Sequence, residues 1–338
     1  MRQILITKAG TPDVLRVVEA PVSEPTVGRV RIKVAAAGVN FADVMGRLGL
    51  YPDAPRIPYV PGYEVAGVVD AVGEGVDAGL TGQDVIALTR FGGYSEYAWV
   101  PAIQVFPRPA RFSVEQAAGF PVAYLTAYAT LVALAGIKHG EHVLVHAAAG
   151  GVGLAAVDIC RIFGATVYGT ASPQKHDFLR ERGVQYPIDY RHQDFEKEIK
   201  RLTKGKGVQI ALDPIGGHSW TKSYRSLSPG GRLVMCGVFS LAPKPNRSLW
   251  AAIKLGLTIP WLRFNPISLT SDNKGVLGLN IGKLWDRQEI VRQWVDQLVA
   301  WQDNLNVHVD RVFRFEEAAE AHRYMQERRN IGKVILVP

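Results

Sequence analysis

Apolar and polar residues alternate in short runs through the first third of the chain. Arg31–Ala36 (RIKVAA) reads as a strand, Tyr63–Val72 alternates apolar residues with Gly, and Val85–Leu88 reads as another short strand. Gly and Pro fill the gaps, at Pro52, Pro55, Pro58, Pro61, Gly73, Gly75, Gly79 and Gly82. Many short strands at this spacing predict a barrel-like or sandwich-like β domain.

The pattern changes at Ser113. Ser113 with Gln116 three residues on forms a capping-box signature, in which each side chain satisfies a free backbone donor. An apolar helical stretch, interrupted at Pro121, is expected to run to about Ala135. From His142 to Gly237 the period switches back and forth. Strands are expected at Val143–His146, Thr166–Thr170, Tyr186–Ile188, Gln209–Leu212 and Arg232–Cys236, with helices between them. Such alternation implies βαβ units and a parallel sheet, so the fold class is α/β. Past Ser268 the alternation stops. Glu289–Trp301 reads as an amphipathic helix, and Lys333–Val337 as a strand that rejoins the first domain.

Size and charge narrow the function classes. The 338 residues suffice for two domains. Lys and Arg number 39 against 31 Asp and Glu, a net charge of +8. That excess admits an anionic partner such as a phosphorylated cofactor or an acidic lipid surface. The basic residues are scattered apart from short clusters such as Lys200–Arg201 and Arg328–Arg329, and no groove-reading motif accompanies them, so no nucleic acid is expected. Two cysteines, Cys160 and Cys236, without CxxC spacing give no disulfide scaffold and point to a reducing compartment, the cytoplasm. The first residues contain no apolar run long enough for a signal peptide. The most membrane-like stretch, Leu249–Leu262, is interrupted by Lys254, Gly256 and Pro260 and falls short of the ~20 apolar residues a spanning helix needs.

The sharpest motif is His142–Cys160, HVLVHAAAGGVGLAAVDIC. A buried strand ends at His146 and a Gly-rich turn opens a helix. Gly150, Gly151 and Val152 bring backbone close to a pyrophosphate, Gly153 lets the helix pack tightly, and the free N–H groups of the first turn face the anion. Ala148 stands where the usual GxGxxG pattern has its first Gly. NAD-specific sites place Asp or Glu at the end of the next strand, for the ribose 2′-hydroxyl. Here that strand ends Gly169-Thr170-Ala171-Ser172, with no acid. Ser172, Lys175 and Tyr190 instead offer hydroxyls and an ammonium suited to a 2′-phosphate, so NADPH is the expected cofactor.

With this turn in place, the chain resembles the medium-chain dehydrogenase/reductase superfamily, specifically its zinc-free quinone oxidoreductase group. The resemblance runs essentially end to end. It is carried by AAAGVNFADVMGRLGLYP (Ala35–Pro52), VPGYEVAGVVDAVGEGV (Val60–Val76), LTAYATL (Leu125–Leu131), HAAAGGVG (His146–Gly153), LDPIGG (Leu212–Gly217) and NIGKVILV (Asn330–Val337). In this group the alanine at Ala148 is usual. The stretch Trp250–Asn280 and the NIGK ending look most like the vesicle amine transport protein branch, which is associated with membranes.

The resemblance implies a Rossmann doubly wound domain, residues 121–265, and a GroES-like catalytic domain, residues 1–120 plus 266–338. It implies hydride transfer from NADPH to a quinone or an α,β-unsaturated carbonyl, and a homodimer joined through a strand near Ile267–Thr270. The zinc-dependent relatives place a Cys ligand where Asn40 stands and a His-Glu pair where Tyr63-Glu64 stands, so no metal is expected here. Asn40 and Thr126 then lie beside the nicotinamide, Gly237, Val238 and Phe239 form the turn that carries its ribose and carboxamide, and Asn330 touches the cofactor. Tyr51 matches the proton donor of related enoyl reductases, and reads equally as an aromatic that shapes the pocket. The competing function is a membrane-surface or lipid-binding protein that retains the reductase fold with little turnover.

Overall fold

Side chains that alternate in the sequence alternate in burial. In this computed structural model, which describes residues 1–238 and 266–338, Arg2–Ile6 (β1) and Leu15–Glu19 (β2) form an antiparallel pair. Arg29–Val39 (β3) buries Val30, Ile32 and Val34 on one face. It pairs antiparallel with Glu64–Val72 (β4) and with Tyr97–Pro101 (β6). Asp84–Leu88 (β5) and Val105–Pro107 (β7) extend the sheet. Its other side is completed by the last strand, Lys333–Val337 (β15), antiparallel to β3, and by Val309–Arg314 (β14) beyond it. The strand expected at the end of the chain therefore does rejoin the first sheet.

The capping box at Ser113 forms as expected. Gln116 N donates to Ser113 Oγ at 3.2 Å, and Ser113 N to Gln116 Oε1 at 3.0 Å. The helix it opens, Val114–Gly119, stops before Pro121. A second helix, Pro121–Tyr128, starts there and continues as a π-type turn over Ala129–Leu134.

The second sheet is all parallel. Its strands are His142–Val145 (β8), Thr166–Ala171 (β9), Tyr186–Asp189 (β10), Val208–Asp213 (β11), Leu227–Met235 (β12) and Gly275–Gly278 (β13), in the order β10-β9-β8-β11-β12-β13. Each expected strand of this region is present, within a few residues at its ends. Counted from β8 as the first, this is the 3-2-1-4-5-6 order of a doubly wound dinucleotide fold. The chain reverses direction across the sheet between β8 and β11, and the carboxyl ends of those two strands border the crevice where such sheets bind ligands.

The chain divides into two compact units, Met1–Leu125 with Gly282–Asp303 and Val307–Pro338, and Thr126–Ile281 with Asn304–Asn306. These boundaries differ from the sequence reading, the second unit beginning at Thr126 rather than at residue 121. Residues 266–281 were expected in the catalytic domain, but β13 pairs with β12 and carries them into the second unit. The strand expected near Ile267–Thr270 is a helix, Pro266–Asp272. Pro266 presets the backbone angle of a first helical residue and lacks the N–H a strand would use. Among the described residues the edge strands of that sheet are β10 and β13. Phe239 and the Leu249–Leu262 stretch lie outside the described residues. Among the described residues no helix is long and apolar enough to cross a membrane.

Candidate active site

In the first unit the candidate chemistry gathers where β3 ends. Gly38 has no side chain because one would lie 2.3 Å from the Glu64 carboxylate. Glu64, at the start of β4, is fully buried. Its Oε1 accepts from Lys333 Nζ at 2.7 Å and from Asn40 Nδ2 at 2.8 Å, while its Oε2 accepts from Val122 N at 2.7 Å. Val122 follows Pro121 at a helix start, where backbone N–H groups lack intrahelical acceptors and favour an anion. The carboxylate at the former His-Glu position is thus committed to an ammonium, an amide and a helix end. Among the described residues no group of three or more His, Cys, Asp or Glu side chains has metal-binding geometry.

Asn40 is held from both ends. Its Oδ1 accepts from Lys333 Nζ at 2.8 Å, and its second Nδ2 contact is a long 3.4 Å approach to Gly38 O. That long contact leaves one amide proton weakly engaged. The sequence reading named Asn40 and passed over Lys333 except as the first residue of β15. Only the NIGK motif hinted at it.

Asn40 also opens the short helix Phe41–Arg47 (α1), whose third residue, Asp43, folds back on it. Asp43 Oδ2 accepts from Asn40 N at 2.8 Å and from the Tyr94 hydroxyl at 3.1 Å, and Oδ1 accepts from Gly62 N at 2.8 Å. Burial pushes the Asp43 carboxyl up to about 7, against these three hydrogen bonds, which favour the anion. Tyr51 lies 6.1 Å, ring to ring, from Tyr63 in an edge-on contact. Burial, and then the Asp53 carboxylate, raise the Tyr51 hydroxyl above its ordinary pKa, with the Tyr63 hydroxyl acting the other way. Tyr51 is therefore protonated at neutral pH and able to donate. Asn330 turns its amide to Gly332 O, at 2.8 Å, three residues before Lys333.

In the second unit the Gly-rich turn has the required setting. β8 ends at Val145, Ala147 takes a left-handed φ of 51°, and Gly151–Ile162 (α4) begins after Gly150. A side chain at Gly153 would lie 2.3 Å from Ala147 O and 2.6 Å from Ala148 O, so only glycine lets α4 sit on the turn. Ala148 finds its room across the sheet, since a side chain on Gly169 of β9 would stand 2.9 Å from the Ala148 methyl. The missing glycine at 148 is matched by one at 169.

β9 ends at Ala171, followed by Ser172 and no acid, and Ala171 pairs with Asp189, the residue before Tyr190, at the end of β10. Ser172 and Lys175 are buried, and Tyr190 is exposed. Burial separates Lys175 from the solvated surface lysine it might otherwise be taken for. Thr126 is buried beside Thr130, whose hydroxyl bonds Thr126 O at 2.9 Å. Gly237 presses on Pro214, whose carbonyl oxygen would lie 2.9 Å from an added side chain, and Val238 follows.

Comparison with known proteins agrees with both units. The alcohol dehydrogenase GroES-like domain matches residues 26–110, and the zinc-binding dehydrogenase domain matches residues 151–292. The chain is 41% identical over 345 residues to the synaptic vesicle membrane protein VAT-1 homolog of Rattus norvegicus, covering 100% of this chain and 84% of that protein. Among solved structures, the mycobacterial protein Rv1454c complexed with NADPH superposes with a TM-score of 0.87 at 30% identity, covering 100% of both chains. The CurK enoyl reductase superposes with a TM-score of 0.83 at 31% identity, covering 99% of this chain and 98% of its own. The chain belongs to the medium-chain dehydrogenase/reductase superfamily, in the company of the VAT-1 homologues.

Proposed function

We propose that the protein is an NADPH-dependent reductase that delivers hydride to a quinone or to the β-carbon of an α,β-unsaturated carbonyl, without zinc. The observation that carries this reading is the glycine turn at the β8 end of a doubly wound sheet, next to a β9 end that bears hydroxyls and a lysine in place of an acid. The NADPH complex of Rv1454c and the reductase named for CurK support it.

The residues fit the cofactor. Gly150, Gly151 and Val152 would hold the pyrophosphate, Ser172, Lys175 and Tyr190 the 2′-phosphate, and Thr126, Gly237 and Val238 the nicotinamide end. The cofactor supplies a hydride, two electrons with one hydrogen nucleus. The oxygen conjugated to the attacked carbon then gains negative charge. Tyr51, kept protonated, and Asn40 are the first unit's candidate donors to such an oxygen, and the proton that completes the reduction would come from Tyr51 or from solvent. The Glu64–Lys333 pair orients Asn40 for this task.

NADPH oxidation against quinones, 2-enones and enoyl thioesters tests the reading. Turnover on at least one class is expected, reduced about 100- to 1,000-fold by Tyr51→Phe, which removes a donor to the developing oxyanion. No turnover on any class overturns the proposal. The assembly that accompanies it is a homodimer paired along the β13 edge, beyond which no strand pairs among the described residues, and light scattering at micromolar concentration checks it. The vesicle-membrane names of its relatives favour a second reading, contact of Leu249–Leu262 with a membrane surface. Co-flotation with anionic vesicles supports it, and flotation of neither wild type nor Trp250→Ala removes it.

A further inference from the structure

Four buried polar side chains in the second unit have no part in the roles above. His146 follows β8, Thr170 lies in β9, Asp213 ends β11, and Ser223 lies in the helix His218–Arg225 (α7). All four are at most 3% exposed. They form one continuous chain of hydrogen bonds: Ala147 N to Thr170 Oγ1 at 3.3 Å, Thr170 Oγ1 to His146 Nδ1 at 3.0 Å, His146 Nε2 to Ser223 Oγ at 2.9 Å, and Ser223 Oγ to Asp213 Oδ2 at 2.7 Å.

The chemistry fixes the direction of every proton. Asp213 accepts in each of its side-chain hydrogen bonds named here, and it also receives Ser219 Oγ at 2.7 Å and Ile215 N at 2.8 Å. Ser223 has one proton and gives it to Asp213, so toward His146 it accepts, and His146 carries its proton on Nε2. Burial lowers the His146 pKa, against the nearby Asp213 carboxylate, so the ring is neutral and Nδ1 is bare. Nδ1 therefore accepts from the Thr170 hydroxyl, and with that proton used Thr170 oxygen accepts from Ala147 N. Phe195 closes the ring from the side, at 4.5 Å between centroids. The wire thus ends on the strained, left-handed residue of the phosphate turn. At its other end, Asp213 holds the backbone turn after β11, across the point where the sheet reverses.

We propose that His146 is a positioning residue for the dinucleotide: as the neutral Nε2–H tautomer it ties the turn after β8 to the ends of β9 and β11, so that three separate loops present one preformed surface. The proposal rests on the cofactor reading above, and its test separates the two. NADPH binding to the full chain is measured directly by calorimetry for wild type, Thr170→Val, Ser223→Ala and the double variant. Each single change is expected to raise the NADPH Kd about tenfold, equivalent to ~1.4 kcal/mol. In steady state KM for NADPH rises while kcat holds. The double variant is expected to be no worse than the poorer single one, because both break the same wire. Wild type that binds neither NADPH nor NADH removes the cofactor reading and this proposal together. Wild type that binds while Ser223→Ala keeps its affinity, or losses that multiply in the double variant, removes this proposal alone. A second measurement needs no variant to fold: the imidazole 15N resonances of His146 in the wild type are expected to show a protonated Nε2 and a bare Nδ1. The opposite tautomer overturns the proposal.

Discussion

Lys333 Nζ donates to Glu64 Oε1 at 2.7 Å, joining two residues 269 positions apart, with side chains 5% and 0% exposed. A buried pair of this kind adds little over a well-packed apolar pair, yet breaking one half of it leaves a charge with no partner. Lys333→Met is expected to destabilise the protein by about 3–5 kcal/mol. Adding Glu64→Gln to the same chain is expected to recover much of that loss, because the remaining side chain is neutral. Denaturant midpoints of the two variants measure the difference, and equal midpoints would contradict it.

The exchange of small residues between the phosphate turn and β9 makes a second prediction. Gly169→Ala forces a methyl to within 2.9 Å of the Ala148 methyl and of Val184. Overpacking of this size costs about 1–3 kcal/mol. Ala148→Gly placed beside it is expected to return part of the cost, although a glycine alone at 148 is mildly unfavourable. Additive losses in the double variant would show that the two positions do not share space.

Cofactor choice rests on the acid-free end of β9. Wild type is expected to bind NADPH at least tenfold more tightly than NADH. Lys175→Glu, which removes the ammonium and adds the acid that NAD-specific sites carry, is expected to abolish or reverse that ratio. Dissociation constants for both nucleotides check it. A ratio near one in the wild type sinks the reading, as does a variant with an unchanged preference.

Asp43 gives a pH dependence with a definite sign. Its carboxyl titrates at about 7 in the folded chain, against an ordinary value of 3.8. Between those values the native state keeps a proton that the unfolded state has released, so stability falls as pH rises through the window and levels off above it. The Asp43 share of that slope approaches ~1.4 kcal/mol per pH unit. Asp43→Asn cannot ionise and is expected to lose this share. Unfolding free energies of both proteins at pH 5, 6, 7 and 8 decide the matter, and identical slopes would overturn it.

The parts of the fold that were legible in the sequence are local in the chain. The capping box spans three residues and forms as read. Strands β8 to β12 stand on apolar runs, and the glycine turn lies within a few residues of its strand. Residues 266–281 were misplaced because the partner that decides their unit, β12, lies 43 positions earlier in the pairing Arg232–Gly275. Lys333 and the His146 wire were missed for the same physical reason. A lysine in a terminal strand and a serine on a polar helix look like solvated residues until the fold buries them against Glu64 and His146. Asp213 sat in the quoted LDPIGG motif, but nothing in one chain says which histidine it serves.

The first unit's sheet also sets an order of events during synthesis. Its central strand, β3, needs β15 along Ala37–Val39, and Glu64 needs Lys333. A ribosome adding ~5–20 residues per second takes roughly 15 to 50 s to cover the 269 positions between that carboxylate and its ammonium. The parallel sheet, whose strands all precede residue 282, emerges in full during that interval. The nascent chain therefore carries every strand of the parallel sheet while the amino-terminal strands still present an open edge and Glu64 has yet to meet Lys333, the period in which a chaperone has most to shield.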